Sequence, residues 1–209
     1  MARPSLANTL TMSRFVLAPL FALVFGLMAR FEGFALPGTI TLFVIFGLVE
    51  LSDVLDGAVA RRQNTVSDVG KILDPFADVV SKVTYFVCLL AAGIVPLWFL
   101  LIVLYREFGV ILVRMILYRQ GLALGARAAG KLKTWFYAVT AAAGLVFLSM
   151  DTLQGLPVFA VDRIAPTWRS VVMFSLLGVT AALSIGSFLQ YFVFFLKNHQ
   201  PGEDAGDRP

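Results

Sequence analysis

Six stretches of the chain stay apolar for about the 20 residues that a helix needs to cross a bilayer. They run over residues 8–29, 37–62, 69–93, 96–119, 132–150 and 169–197. The connections between them are short and polar, and nothing marks a second domain or an internal repeat. The expected architecture is all-α: a polytopic membrane protein with six transmembrane helices over residues 1–199. Residues 200–209 are polar, acidic and rich in Gly and Pro, and read as a disordered tail. The first stretch outruns a signal peptide and lacks a convincing small-residue cleavage site, so a retained helix is expected.

Composition sharpens this picture. Of 209 residues, 59% are hydrophobic and 14% charged, against about 45–50% and about 25% in soluble domains. The mean hydropathy is +0.85. So little charge excludes a soluble enzyme and a disordered chain, and the 19 Phe suit a lipid-facing surface. A lone cysteine, Cys88, excludes a disulfide framework and a thiolate metal cluster, and a lone histidine, His199, stands in the polar tail. The net charge of +4 is explained by topology and not by nucleic acid. One side of the six-helix arrangement receives Arg3, Arg61, Arg62, Lys71, Arg119, Arg127, Lys131, Lys133 and Lys197, and the other only Arg30, Arg163 and Arg169. The basic side is expected to be cytoplasmic, and an even number of spans puts both termini there.

Two stretches break their own apolar pattern. The second ends in Asp53, Asp56, Gly57, Ala60 and Arg61, and the third opens with Gly70, Asp74 and Asp78. Spacings of three, four and seven put Asp53, Asp56, Gly57 and Ala60 on one helical face, while Gly70, Asp74 and Asp78 form one stripe. A short cytoplasmic turn joins the two helices, so the faces can meet. A carboxylate deep in a membrane helix costs about 2.5–3.5 kcal/mol, hence four cost on the order of 10–14 kcal/mol before repulsion. Lys and Arg are too few on these two faces to pair every Asp. All-oxygen donors select a hard ion, Mg²⁺, Mn²⁺ or Ca²⁺, and not zinc or copper. Two ions sharing four carboxylates suit displacement at phosphorus. Gly57 and Gly70 would let a phosphate or ribose approach the backbone, and Arg61 would fork onto a phosphate.

The run Asp53-x-x-Asp56-Gly57-x-x-Ala60-Arg61, then eight residues, then Gly70-x-x-x-Asp74-x-x-x-Asp78 resembles the signature of the CDP-alcohol phosphotransferase family at every specified position. The resemblance implies a six-helix inner-membrane enzyme, usually a homodimer among membrane lipids. Such an enzyme moves the substituted phosphate of a CDP-linked donor onto an alcohol and releases CMP. It implies two divalent cations, Mg²⁺ or Mn²⁺, bound by Asp53, Asp56 and Asp74, with Asp78 as a further ligand and as the base for the acceptor hydroxyl. Asp53, Gly57, Arg61 and Gly70 would contact the cytidine diphosphate.

Other residues bear on the acceptor. Asn8, Thr11 and Arg14, then Pro75 and Ala77 within the second motif, Arg106-Glu107, Arg114, and Gly130-Lys131-Leu132-Lys133-Thr134 resemble the branch of that family that takes CDP-diacylglycerol and sn-glycerol 3-phosphate. That branch commonly has Lys after the last Asp; here Val79 follows, and Lys82 stands one turn on. Arg106 and Arg114 are eight apart on broadly one face, and intramembrane arginines need an anion. Both also have Glu107 and Glu50 as candidate partners. Lys131 and Lys133 sit where the fifth helix is expected to begin, and free backbone N–H groups there favour phosphate. In a continuous helix these two lysines would point to opposite faces. A basic pocket of Arg106, Arg114, Lys131 and Lys133 therefore suits an acceptor that carries its own phosphate. Inositol phosphate and serine are the alternative acceptors. A divalent cation transporter is the rival from another class. It has no need of Gly57 beside Arg61, and the acids cluster toward the cytoplasmic end of two consecutive helices, not at a midplane break.

Overall fold

The apolar stretches become six long helices in the computed structural model of the chain, which describes residues 6–63, 68–119, 128–158 and 168–198. Within these segments the side chains at 6–10, 32, 56–63, 68–72, 74, 118–119, 128–131 and 198 lie outside the description. The elements are α1 (Leu6–Arg30), a 3₁₀ turn (Glu32–Phe34), α2 (Ala35–Gln63), α3 (Asp68–Ala91), α4 (Leu97–Arg119), α5 (Ala128–Leu153) and α6 (Trp168–Asn198). Among the described residues there is no strand. The tail expected at 200–209 lies outside them.

Glycine chemistry ends two of the helices. At the end of α3 the Ile94 N–H donates to the Leu89 carbonyl and the Gly93 N–H to that of Leu90, both at 2.9 Å. Gly93 has φ +71°, the left-handed conformation this closure requires. At the end of α5 the Leu156 N–H donates to Asp151 and the Gly155 N–H to Thr152, both at 3.0 Å, with Gly155 at φ +82°. Pro96 and Pro157 follow and bar continuation.

α1 packs along α2 and α3, while α6 packs along α4 and α5. α3 also meets α4 and α5, and α2 meets α5, so α3 joins the two groups. The core is aromatic where they meet. The Tyr85 ring lies edge-on to Phe21 (4.9 Å) and Phe46 (5.2 Å), and Phe86 lies edge-on to Phe99 (5.1 Å) and Tyr137 (5.9 Å). Helices approach closely at small residues: a Cβ on Gly109 would fall 2.7 Å from the Phe188 ring, and one on Gly144 2.6 Å from Leu89.

The surface is the reverse of a soluble protein's. Val16, Leu51, Leu112, Trp135, Val171 and Leu196 are exposed, whereas Arg14, Lys82, Arg106, Glu107 and Lys133 are buried. Only an apolar solvent makes that arrangement favourable. Four helical segments are long and apolar enough to cross a membrane: Thr11–Arg30, Ala35–Leu55, Leu132–Leu153 and Trp168–Lys197. Four of the six expected spans are thus supported by length and composition among the described residues. α3 carries Asp74, Asp78 and Lys82, and α4 carries Arg106, Glu107 and Arg114, which depress their hydropathy. α5 starts at Ala128, earlier than the apolar run at 132 suggested. Lys133 is therefore past the first turn and its free N–H groups, which removes the helix-terminus argument for that residue.

Candidate active site

Asp53 on α2 and Asp78 on α3 lie within electrostatic reach of each other, because α1 holds both helices together. Each has a cation from the protein. Arg14 of α1, only 2% exposed, donates from Nη1 to Asp53 Oδ1 at 2.9 Å. Lys82, one turn beyond Asp78 on α3, is buried and ion-paired to Asp78 Oδ1. The count of Lys and Arg made on the two motif faces thus missed Arg14, which comes from a third helix. Two of the motif carboxylates are tolerable without any ion. Asp56, Gly57 and Arg61 continue α2, and Gly70 and Asp74 open α3, but their side chains lie outside the described residues. Among the described residues no three metal-ligating side chains are gathered. The described part of the donor set, two carboxylates with only oxygen to offer, fits a hard divalent ion.

A cavity of about 800 Å³ opens beside Asp53 between α2 and α5. Asp53 and Glu50 line one part of it, and Phe46, Leu51, Val54, Trp135, Val139 and Ala142 much of the rest. Leu51, Val54, Trp135 and Val139 are themselves exposed. The groove is therefore open on the outer apolar face of the bundle, with carboxylates within.

Toward α4 and α6 lies a second charged cluster. Arg106 Nη1 donates to Glu107 Oε2 at 2.8 Å, and Lys133 of α5 pairs with Glu107 Oε1. Arg106 also donates to Ser187 Oγ of α6, from Nη2 at 3.0 Å and Nε at 3.3 Å. All three charged residues are at most 6% exposed. Hydroxyl pairs seam α5 to α6 beside them, Tyr137 with Ser184 at 2.6 Å and Thr140 with Thr180 at 2.8 Å. The structure brings Arg106 and Lys133 together, with Glu107 between them. It does not bring Arg114 to them: its Nη2 donates to the Tyr191 hydroxyl at 3.2 Å and its guanidinium lies 5.4 Å from that ring. The Lys131 side chain lies outside the described residues.

Sequence reasoning left several of these side chains without a role. Arg14 reads equally well as an interfacial anchor, and only its pairing with Asp53 distinguishes it. Glu50 carried a signal, an acid one turn before Asp53 on the same face. Tyr137 and Ser187 carried none, since an aromatic and a serine on membrane helices are ordinary.

Residues 4–181 match the family model described as CDP-alcohol phosphatidyltransferase. A CDP-diacylglycerol–glycerol-3-phosphate 3-phosphatidyltransferase of Treponema pallidum (strain Nichols) is 33% identical over 152 residues, which cover 73% of this chain and 68% of that protein. The protein of the same name from Bacillus subtilis (strain 168) is 29% identical over 150 residues, covering 68% and 77%. A cardiolipin synthase (CMP-forming) of Streptomyces coelicolor is 37% identical over 117 residues, covering 56% and 53%.

Proposed function

The chain belongs to the CDP-alcohol phosphatidyltransferase family, and on that premise we propose that it transfers the phosphatidyl group of CDP-diacylglycerol to sn-glycerol 3-phosphate. The products are phosphatidylglycerol phosphate and CMP. The observation that carries this reading is the pairing of two unlike compartments. An apolar groove runs beside Asp53, and a buried Arg106–Glu107–Lys133 cluster lies toward the other half of the bundle. A lipid donor suits the first and a phosphate-bearing alcohol the second. The names of the T. pallidum and B. subtilis relatives support it.

In this reading residues 1–199 form one membrane domain of six spans, α3 and α4 crossing with their charges turned inward. It sits in a bacterial inner membrane with both termini and the site cytoplasmic, and 200–209 form a polar tail. The chain pairs with a second copy. Asp53, Gly57, Arg61 and Gly70 hold the cytidine diphosphate. Arg106, Arg114, Lys131 and Lys133 hold the acceptor's phosphate, Arg114 turning from Tyr191 to do so. Asp53, Asp56, Asp74 and Asp78 would hold two divalent cations, Mg²⁺ or Mn²⁺, which supply charge neutralisation for the diphosphate and for CMP as it leaves. Asp78 takes the proton of the acceptor hydroxyl. The hydroxyl oxygen bonds to the lipid-side phosphorus as the bond from that phosphorus to the CMP oxygen breaks. Lys82 keeps Asp78 on the inner face of α3. Attack is direct and inverts configuration at phosphorus.

A second reading takes phosphatidylglycerol as acceptor, giving cardiolipin. The S. coelicolor relative favours it, and a phosphodiester presents the same kind of anion to Arg106 and Lys133. Purified chain in mixed micelles, given CDP-diacylglycerol and one acceptor at a time, decides between them. CMP release with sn-glycerol 3-phosphate is expected. Release only with phosphatidylglycerol, inositol phosphate or serine overturns the assignment.

A further inference from the structure

Two ion pairs lie side by side where α3, α4 and α5 meet: Asp78 with Lys82, in which the lysine is buried and the aspartate half-buried, and Glu107 with Lys133, both buried. Their charges are not isolated from one another. Lys133 also acts electrostatically on Asp78, and Glu107 on Lys82. In a medium this apolar the pairs have a competing arrangement, Lys133 with Asp78 and Lys82 with Glu107, unless something holds each ammonium where it is.

One aromatic ring lies beside both ammonium groups. The Lys133 Nζ lies 4.7 Å from the centroid of Tyr137, and the Lys82 Nζ 5.8 Å from the same centroid. Both fall within the range in which a ring quadrupole attracts a cation, and desolvation strengthens the attraction. Tyr137 is itself immobilised. It is 1% exposed, its ring packs edge-on against Phe86, and its hydroxyl shares a hydrogen bond with Ser184 of α6. Val79 next to Asp78 is buried and carries no charge. The cation of this helix therefore reaches Asp78 from Lys82, on the side where the ring stands.

We propose that Tyr137 is a positioning residue that divides the charged interior in two, holding Lys82 on Asp78 at the reacting end and Lys133 on Glu107 at the acceptor-binding end. The ring is the working part. The hydroxyl fixes the ring against α6 through Ser184 and also meets Glu107. Without the ring, Lys133 is drawn toward Asp78, and the acceptor's phosphate loses a cation from its pocket.

This rests on the reading that the acceptor's phosphate binds at the Lys133 end. The test is steady-state CMP release by the full chain and by Tyr137→Leu and Tyr137→Phe in mixed micelles. CDP-diacylglycerol and sn-glycerol 3-phosphate are each varied, and the thermal midpoint of each protein is measured alongside. Tyr137→Leu is expected to raise KM for sn-glycerol 3-phosphate about tenfold, the scale of a desolvated cation–ring contact, while KM for CDP-diacylglycerol moves less than about threefold. Tyr137→Phe keeps the ring and should recover most of the acceptor KM even though its midpoint falls. A merely structural Tyr137 would give losses in kcat that follow the thermal midpoint with both KM values unmoved, and that pattern overturns the inference. So does an equal rise in both KM values. An unsubstituted chain inactive with sn-glycerol 3-phosphate would instead bring down the functional reading itself, and this inference with it.

Discussion

Replacing Asp78 by Asn separates chemistry from packing at the centre of the site. The amide cannot take a proton from the acceptor hydroxyl, and loss of a general base costs about 10²–10⁴-fold in kcat. The same change leaves the Lys82 ammonium, whose side chain is 4% exposed, without its partner. Stranding one member of a buried pair costs about 3–5 kcal/mol. The low end, about 3 kcal/mol, is expected, because Tyr137, Glu107 and Asp53 also act on Lys82 and an Asn oxygen still accepts a hydrogen bond. The second substitution, Lys82→Met, removes the stranded charge, so Asp78→Asn/Lys82→Met should regain most of the lost stability and none of the activity. CMP release at saturating substrates reports the first quantity, and thermal unfolding in detergent reports the second. Activity above one tenth of the unsubstituted level in Asp78→Asn, or activity that returns with stability in the double variant, would refute Asp78 as the proton acceptor.

Three further outcomes follow from the same geometry. Arg14→Gln removes the cation that holds Asp53 and should raise KM for CDP-diacylglycerol about tenfold, the value of a charged hydrogen bond. KM for sn-glycerol 3-phosphate should stay within about threefold, and an effect on the acceptor alone would contradict the placing of Arg14 at the donor end. Ala142→Phe puts a ring into the groove between α2 and α5. It should slow turnover of a long-chain donor by about tenfold and of a short-chain one far less, since each buried methylene contributes about 0.8 kcal/mol; equal losses on both would count against the groove as the lipid's seat. Stripping divalent ions with a chelator should abolish CMP release and Mg²⁺ or Mn²⁺ should restore it, with Zn²⁺ ineffective at carboxylate-only donors; full activity in chelator would remove the ions from the mechanism.

The helices were legible because a membrane span is a run of apolar residues long enough to need no tertiary information. The approach of Asp53 to Asp78 was legible because spacings of three and four survive into any helix and a short turn joins α2 to α3. What escaped depends on which faces meet. Arg14 and Asp53 are 39 residues apart, and Lys133 and Glu107 are 26 apart; their partnerships exist only once α1 lies on α2, and α5 approaches α4 through α3. The same limit separated Arg106 from Arg114. Eight residues apart on one face, they read as one pocket, yet α6 offers Ser187 to the first and Tyr191 to the second. α3 and α4 fall below the four apolar spans because the acids and bases they carry lower the apolar average of helices whose charges lie inside the bundle. The start of α5 was misplaced because Ala128 and Ala129 extend the helix without lengthening its apolar run.

The turn from α3 to α4 is locked by the left-handed Gly93, α5 ends on the left-handed Gly155, and a 2.6 Å bridge from Arg169 to Asp151 ties α6 to α5 at that same end of the bundle. Helices pinned at one end behave as levers. α5 has 26 residues, about 39 Å at 1.5 Å per residue, so a tilt of about 5° about its fixed end carries the opposite end, which lines the groove against α2, through about 3 Å. That travel is comparable to the width of a methylene chain. Admission and release of lipid can therefore be accomplished by a splay of intact rods, like the jaws of a clothes-peg, with no helix unwinding and no backbone hydrogen bond surrendered to the bilayer.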